Sequence, residues 1–197
     1  VAEISVADVV QFTKGRLADD GADGETQRML NAALATARRH VGWHVSPVKL
    51  GDIVTMDGPG GAELNPPTRK IVNVTAVTDN GTDVLQDTVI PAQMPWKIVR
   101  RSGCWSRDLA AIAVTMDHGY TELEAADWRQ AILMMVDQMS LLPVSAGAGR
   151  SDADLVRQRV DDVEYQWSDG ASMALAEKVL FSVESILAGY RLVQGFA

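Results

Sequence analysis

The apolar positions of this chain change their spacing twice, which divides it into three zones. In the first, over residues 3–45, Val6, Val9, Val10 and Leu17 recur at helical intervals until Asp19-Asp20-Gly21-Ala22-Asp23-Gly24 interrupts them. A second helix is expected from about Glu25, with Met29, Leu30, Ala33, Leu34, Ala37 and Val41 on one stripe. Arg38, Arg39 and His40 fall in its last turn, where the helix dipole favours cations, and Gly42 is a natural stop. The two helices predict a helical hairpin.

The second zone, residues 48–118, holds or borders six of the seven prolines, so long helices are not expected there. Short alternating runs replace them: Val48 to Met56, Lys70 to Thr78, Trp96 to Arg101 and Leu109 to Met116. Asp79-Asn80-Gly81 closes one run with a strong hairpin-turn signal. The pattern predicts a small antiparallel sheet or barrel inserted between helices. The third zone returns to helix over 122–142, with Trp128, Ile132, Met135, Val136 and Met139 as a bulky stripe and Pro143 as its end. Residues 144–151 read as a flexible linker. Over 160–168, Val163, Tyr165 and Trp167 alternate with polar residues as an extended arm. The segment 172–197 reads as a last helix and tail, with Leu175, Val179, Val183, Ile186 and Leu187 inward. The expected class is therefore α+β: a helical bundle with an inserted antiparallel β domain and an arm before the last helix, in one domain.

Composition narrows the function. At 197 residues, 47% apolar and 22% charged, the chain can bury a full core and is not broadly disordered. The longest apolar runs, Ala131 to Val136 and Leu109 to Val114, are far short of the roughly 20 residues that span a bilayer, and no signal peptide is expected. A single cysteine, Cys104, permits no internal disulfide and suits a reducing compartment. The 18 basic and 26 acidic side chains give a net charge of -8, which argues against gripping a phosphate backbone. The acid is uneven. Residues 1–100 hold 10 basic and 12 acidic groups (net -2), and residues 101–197 hold 8 and 14 (net -6).

Candidate chemistry is thin. His40 and His44 are four apart, but Val41 stands where a zinc hydrolase would place its general base, and Gly42 breaks the helix between them. The acidic loop from Asp19 to Glu25 lacks the ligand spacing of a calcium loop and suits the capping of a helix N-terminus. Cys104 has no nucleophile signature around it, and Asp161 and Asp162 are adjacent, so an extended arm sends them to opposite faces. No catalytic residue, metal or cofactor is expected. Of Trp43, Trp96, Trp105, Trp128 and Trp167, most suit packing. Trp167, at the end of the arm, is as well suited to a neighbouring subunit.

The order of pieces resembles a known family. Ser5-Val6-Ala7-Asp8-Val9 opens a hairpin, and Ile112-Ala113-Val114-Thr115-Met116-Asp117-His118-Gly119-Tyr120 ends a strand-rich middle. Asp127-Trp128-Arg129-Gln130-Ala131-Ile132 opens a helix, Val160 to Tyr165 forms an arm, and Ile186-Leu187-Ala188-Gly189-Tyr190-Arg191-Leu192 ends the last helix. Together these resemble the head-tail connector (adaptor) proteins of tailed double-stranded-DNA bacteriophages. The middle zone is longer here than in compact, mostly helical members.

The resemblance implies a structural, non-enzymatic virion protein at the neck, made in the host cytoplasm. It would form a homo-oligomeric ring of about twelve subunits under the portal protein and meet a stopper or tail-completion protein on its other side. Double-stranded DNA would pass through without specific binding, and no membrane is involved. The apolar C-terminus is the expected contact. Trp167, Tyr190, Leu192, Val193 and Phe196 are the candidate interface residues, and deleting residues 190–197 is expected to abolish particle joining while the monomer still folds. The alternatives are another neck or tail component (a stopper or tail-terminator) and, remotely, a metal-dependent hydrolase built on His40 and His44.

Overall fold

The computed structural model describes residues 4–141, 157–160, 163–166 and 182–192. The fold is α+β. Helices α1 (Val6–Phe12) and α2 (Glu25–Val41) precede seven strands: β1 (Lys49–Met56), β2 (Glu63–Leu64), β3 (Ile71–Asp79), β4 (Thr82–Asp83), β5 (Thr88–Val89), β6 (Ile98–Arg100) and β7 (Ile112–His118). Then follow α3 (Ala126–Leu141), β8 (Arg157–Val160), β9 (Val163–Gln166) and a helix α4 over 182–190. The chain divides into two compact units, each assembled from separate stretches of sequence.

One unit comprises residues 1–3, 38–126 and 190–197 and carries β1 to β7. A four-stranded antiparallel sheet runs in the order β1-β7-β3-β4, and a three-stranded one in the order β2-β6-β5. The central strand β7 alternates strictly, with Ile112, Val114, Met116 and His118 buried. That alternation follows from the two-residue period of a strand with one face in the core. Ile71, Val77, Ile112, Val114 and Met116 from the larger sheet share a core with Leu64 and Ile98 from the smaller one and with Trp105. The predicted turn is present: Asn80 and Gly81 both have positive φ, and Asp79 pairs with Thr82 across them.

Arg100 ties the smaller sheet to the loop behind it. Its Nε donates to Asp87 at 3.0 Å and its Nη1 to the carbonyl of Cys104 at 3.2 Å and to Asp79 at 3.3 Å. Its guanidinium also lies 5.4 Å from the ring centre of Trp105. The hydroxyl and N–H of Ser102, with Arg100, hold the Asp87 carboxyl below its usual range.

The other unit comprises residues 4–37 and 127–189. Ser5 caps α1 in a reciprocal box with Asp8: the Asp8 N–H donates to the Ser5 hydroxyl, and the Ser5 N–H donates to the Asp8 carboxylate at 2.8 Å. The helix is shorter than the spacing of Leu17 suggests. It stops at Thr13 because Lys14 and Gly15 turn to positive φ, and the Gly15 N–H reaches back to the Val10 carbonyl. The Asp20 carboxylate accepts the N–H groups of Glu25 and Thr26, so the acidic loop does cap α2. Leu30, Ala33 and Ala37 on α2 are buried, as are Trp128, Ala131, Ile132 and Val136 on α3 and Val183 and Leu187 on α4. Arg16 pairs with Asp137, and Arg129 with Asp8.

The region expected as an extended arm carries a hairpin. Arg157 pairs with Gln166, Gln158 with Tyr165, Arg159 with Glu164 and Val160 with Val163. By the period of the pleat, Val160, Val163 and Tyr165 hold register positions on one face of this hairpin with Gln158. Arg157, Arg159, Glu164 and Gln166 hold the other face. Among the described residues no helix is long and apolar enough to cross a membrane.

Candidate assembly surface

Of the five expected interface residues, Tyr190 and Leu192 are described, while Trp167, Val193 and Phe196 lie outside the described residues. Tyr190 and Leu192 are built into a joint of their own unit. The last turn of α2 leaves carbonyls without helical partners. Gly42, with φ of 84°, donates to the Arg38 carbonyl, and the Leu192 N–H donates to the Val41 carbonyl at 2.9 Å. The indole N–H of Trp43 donates to the Tyr190 carbonyl at 2.7 Å. The Leu192 side chain lies over Gly42, where even an added Cβ would come within 3.6 Å of it.

Tyr120 completes this joint. Its ring meets Trp43 edge-on at 5.8 Å and Tyr190 edge-on at 5.6 Å, and Lys70 places its ammonium 5.3 Å from the ring centre. The preceding residue, Gly119, has φ of 113° and passes so near the chain at 45–48 that a Cβ would sit 3.1 Å from the Pro47 carbonyl oxygen and 3.2 Å from that of Val45. Both backbone groups of this turn are used: Gly119 donates to Lys70 and Tyr120 to Val45.

Just beyond, Thr121 and Glu124 form a capping box. The Thr121 N–H and hydroxyl each donate to the Glu124 carboxylate at 2.9 Å, and Lys70 adds a salt bridge at 2.5 Å. The Lys70 ammonium and then the two Thr121 donors lower the Glu124 pKa to about 2.

The opposite behaviour is found at β1. Among the described residues this strand is the edge of the larger sheet, paired with β7. Two of its apolar residues are open to solvent, Leu50 at 76% and Ile53 at 68%, and Val72 on β3 is 51% exposed. Its inner side chains, Val54 and Met56, line a groove of about 1040 Å³, with Leu64, Pro66, Trp96 and Leu192 among the other lining residues. Trp96 remains 39% exposed, whereas Trp43, Trp105 and Trp128 are buried. Sequence reasoning singled out Trp167 among the tryptophans and passed over Trp96. The signal was local: Trp96 follows Pro95 and precedes the core strand β6, so it stands at the lip of the sheet.

The candidate metal and nucleophile positions lead elsewhere. His40 is exposed near the end of α2. His44 lies past the helix, its Nε2 at the Pro47 carbonyl and its ring edge-on to His118 at 6.1 Å. Burial lowers the His44 pKa, with Arg38, His118 and Lys49 acting in the same direction and the Pro47 carbonyl opposing. His118 is buried with Nε2 at 3.0 Å from Asp52. Asp52 titrates below its usual range, chiefly through its hydrogen bond from Lys49. Cys104 is exposed in the loop after β6. Among the described residues no group of three His, Cys, Asp or Glu side chains is placed to hold a metal ion.

No protein-family model matches the chain. No curated protein matches it. Solved structures do. A chain in the neck of a native gene transfer agent particle, computed with C12 symmetry, superposes with a TM-score of 0.59 at 14% identity, covering 100% of this chain and 96% of that one. A chain in the neck of an empty particle, computed with C6 symmetry, gives 0.60 at 15% identity over the same shares. A chain in the virion of the native particle gives 0.60 at 17% identity, over 99% of this chain and 92% of that one. The chain thus shares its fold with chains from gene transfer agent necks and virions.

Proposed function

We propose that the chain is a structural neck protein of a phage-like particle, and within it a head-tail adaptor. It would form a ring beneath the portal protein and line part of the DNA channel. The observation that carries this is the whole-chain likeness to a subunit of a neck computed with C12 symmetry, covering 100% of this chain and 96% of that one. A likeness confined to the β unit would have suited many small β modules. This one extends through the helical unit as well.

The role proposed is non-enzymatic, and it uses surfaces. Leu192 lines the groove, and Val193 and Phe196 follow it in sequence. We assign these three residues, with Trp167, to contacts with the portal or a neighbouring subunit, and Tyr190 to holding the segment in place. A stopper or tail-completion protein would take the other side of the ring. With a net charge of -8 per chain, a ring of about a dozen copies carries on the order of a hundred negative charges. Acid facing the bore would let DNA pass without phosphate contacts to Lys or Arg.

Negative-stain images of the chain mixed with its portal protein test the reading. A ring seated on the portal is the expected result, and a chain that leaves the portal bare overturns the adaptor role. A potential map of the assembled ring with a neutral or basic bore would overturn the placement of charge.

A further inference from the structure

Two structural facts meet in this chain. Among the described residues the larger sheet stops at β1, whose outer edge pairs with no other strand there, whose inner residues Val54 and Met56 wall an open apolar groove, and whose residues Leu50 and Ile53 are exposed. Free edges of this kind are templates for another strand, and proteins that must avoid pairing blunt them with charge or proline. β1 begins with Lys49, Asp52 and a register irregularity between them, so its start is blunted in this way, whereas Ile53 to Met56, Ile-Val-Thr-Met, carries neither charge nor proline. The other fact is the hairpin β8–β9, which among the described residues is a sheet of two strands. A lone two-stranded hairpin is marginal in water and needs a third strand or an apolar surface to settle on. Its register gives it one face with Val160, Val163 and Tyr165 and one with Arg157, Arg159 and Glu164.

We propose that the β8–β9 hairpin of one copy adds to the free edge of β1 on a second copy of this chain, with β9 alongside β1, and roofs that copy's groove. The strand edge supplies backbone hydrogen bonds, and the apolar face of the hairpin matches the groove side of β1. Val163 and Tyr165 lie on the groove side with Val54, Met56 and Trp96, while Arg159 and Glu164 lie on the solvent side with Ile53 and Thr55. β9 takes the pairing position because it carries two of the three apolar residues. Donor and acceptor are different surfaces of one chain, so the contact is head-to-tail, and repetition closes a ring or runs on as a filament. The inference rests on the ring reading above and supplies its contact.

Crosslinking tests it. In a Cys104→Ser background, Thr55→Cys and Glu164→Cys are made in separate chains, mixed, and treated with a short bismaleimide, both with the chain concentrated alone and with it docked on portal. Oligomer size is followed in parallel by mass measurement. A crosslinked dimer of the two different chains is expected. It should be lost when Ile53→Lys is added to the acceptor or Tyr165→Asp to the donor, with the thermal melt of each variant unchanged. Rings that form without this crosslink overturn the edge pairing and leave the adaptor reading standing. Neither ring nor crosslink overturns both. A crosslink found only within a double-cysteine chain overturns the second copy as the occupant.

Discussion

The joint at Tyr120 and the edge at β1 belong to the same unit and are built in opposite ways. At the joint, the backbone groups of Val41, Gly42, Gly119, Tyr120, Tyr190 and Leu192 engage partners brought from three distant stretches, and three aromatic rings pack edge-on. At β1, one side of the strand and the groove beside it are left open among the described residues, with large apolar side chains facing water. Burying polar backbone without partners costs more than each bond returns, so a complete joint is a matter of stability. Leaving apolar edge exposed costs stability and solubility, so its presence is informative about assembly. Substitutions should therefore separate the two: changes at the joint unfold the monomer, and changes at the edge spare it.

Truncation gives the largest expected effect. Ending the chain after Gly189 removes the Leu192 bond to Val41, the Trp43 bond to Tyr190 and the Tyr120–Tyr190 contact. At about 1 kcal/mol for each bond and about 0.5–1.5 for the ring pair, the loss is on the order of 3 kcal/mol. Ending it after Leu192 keeps all three, and urea unfolding should then match the full chain. The second cut is the one that tests a C-terminal contact, since deletion from residue 190 also opens the end of α2.

Gly119→Ala comes next. The added Cβ meets backbone carbonyl oxygens at 3.1 and 3.2 Å, which cannot turn aside as a side chain can, and φ of 113° is a region that other residues rarely adopt. A loss of about 2 kcal/mol is expected in urea unfolding. A loss near zero would show that the turn can shift, and that the joint is looser than its hydrogen bonds imply.

How legible this was in the sequence depends on range. The Asn80-Gly81 turn, the buried stripe of α2 and the alternation of β7 are local patterns, and each is found where it was expected. The Thr121–Glu124 capping box was equally local and was missed, although Thr-x-x-Glu before an apolar helix is its signature. The strands β2, β4 and β5 have two residues each, too few for a period to show. Arg157-Gln158-Arg159 gave no alternation of apolar and polar residues, so β8 was not seen and the hairpin read as one arm. The joint was invisible for another reason. Gly119-Tyr120 and Tyr190-Arg191-Leu192 stood out as motifs, but the bonds that join them to Val41 and Trp43 are backbone and indole contacts between remote segments. No spacing rule connects these.

Ile53→Lys sharpens the other side of the comparison. The side chain is 68% exposed, so its replacement removes little packing, and urea unfolding should change by less than about 0.5 kcal/mol. A large destabilisation would mean that the edge is already covered within the monomer.

The smallest effect concerns pH at the rim of the joint. Lys70 and Thr121 hold Glu124 at about 2, below its ordinary value of 4.5, so the folded chain binds this proton less readily than the unfolded one. The sign follows from linkage: the stabilising contribution is complete above 4.5 and is lost as pH falls from there through 2. Its size is small, because the Glu124 side chain is 44% exposed and solvent and salt screen its pair with Lys70. Glu124→Gln should therefore melt slightly below the parent at pH 7, and the gap should close in acid. Raising the salt at pH 7 should narrow the gap without abolishing it, because the Thr121 donors that face the carboxylate are hydrogen bonds and not charges. A gap that is constant from pH 7 to acid would show that the ionised carboxylate contributes nothing there, and that the joint is held by Tyr120 and its partners alone.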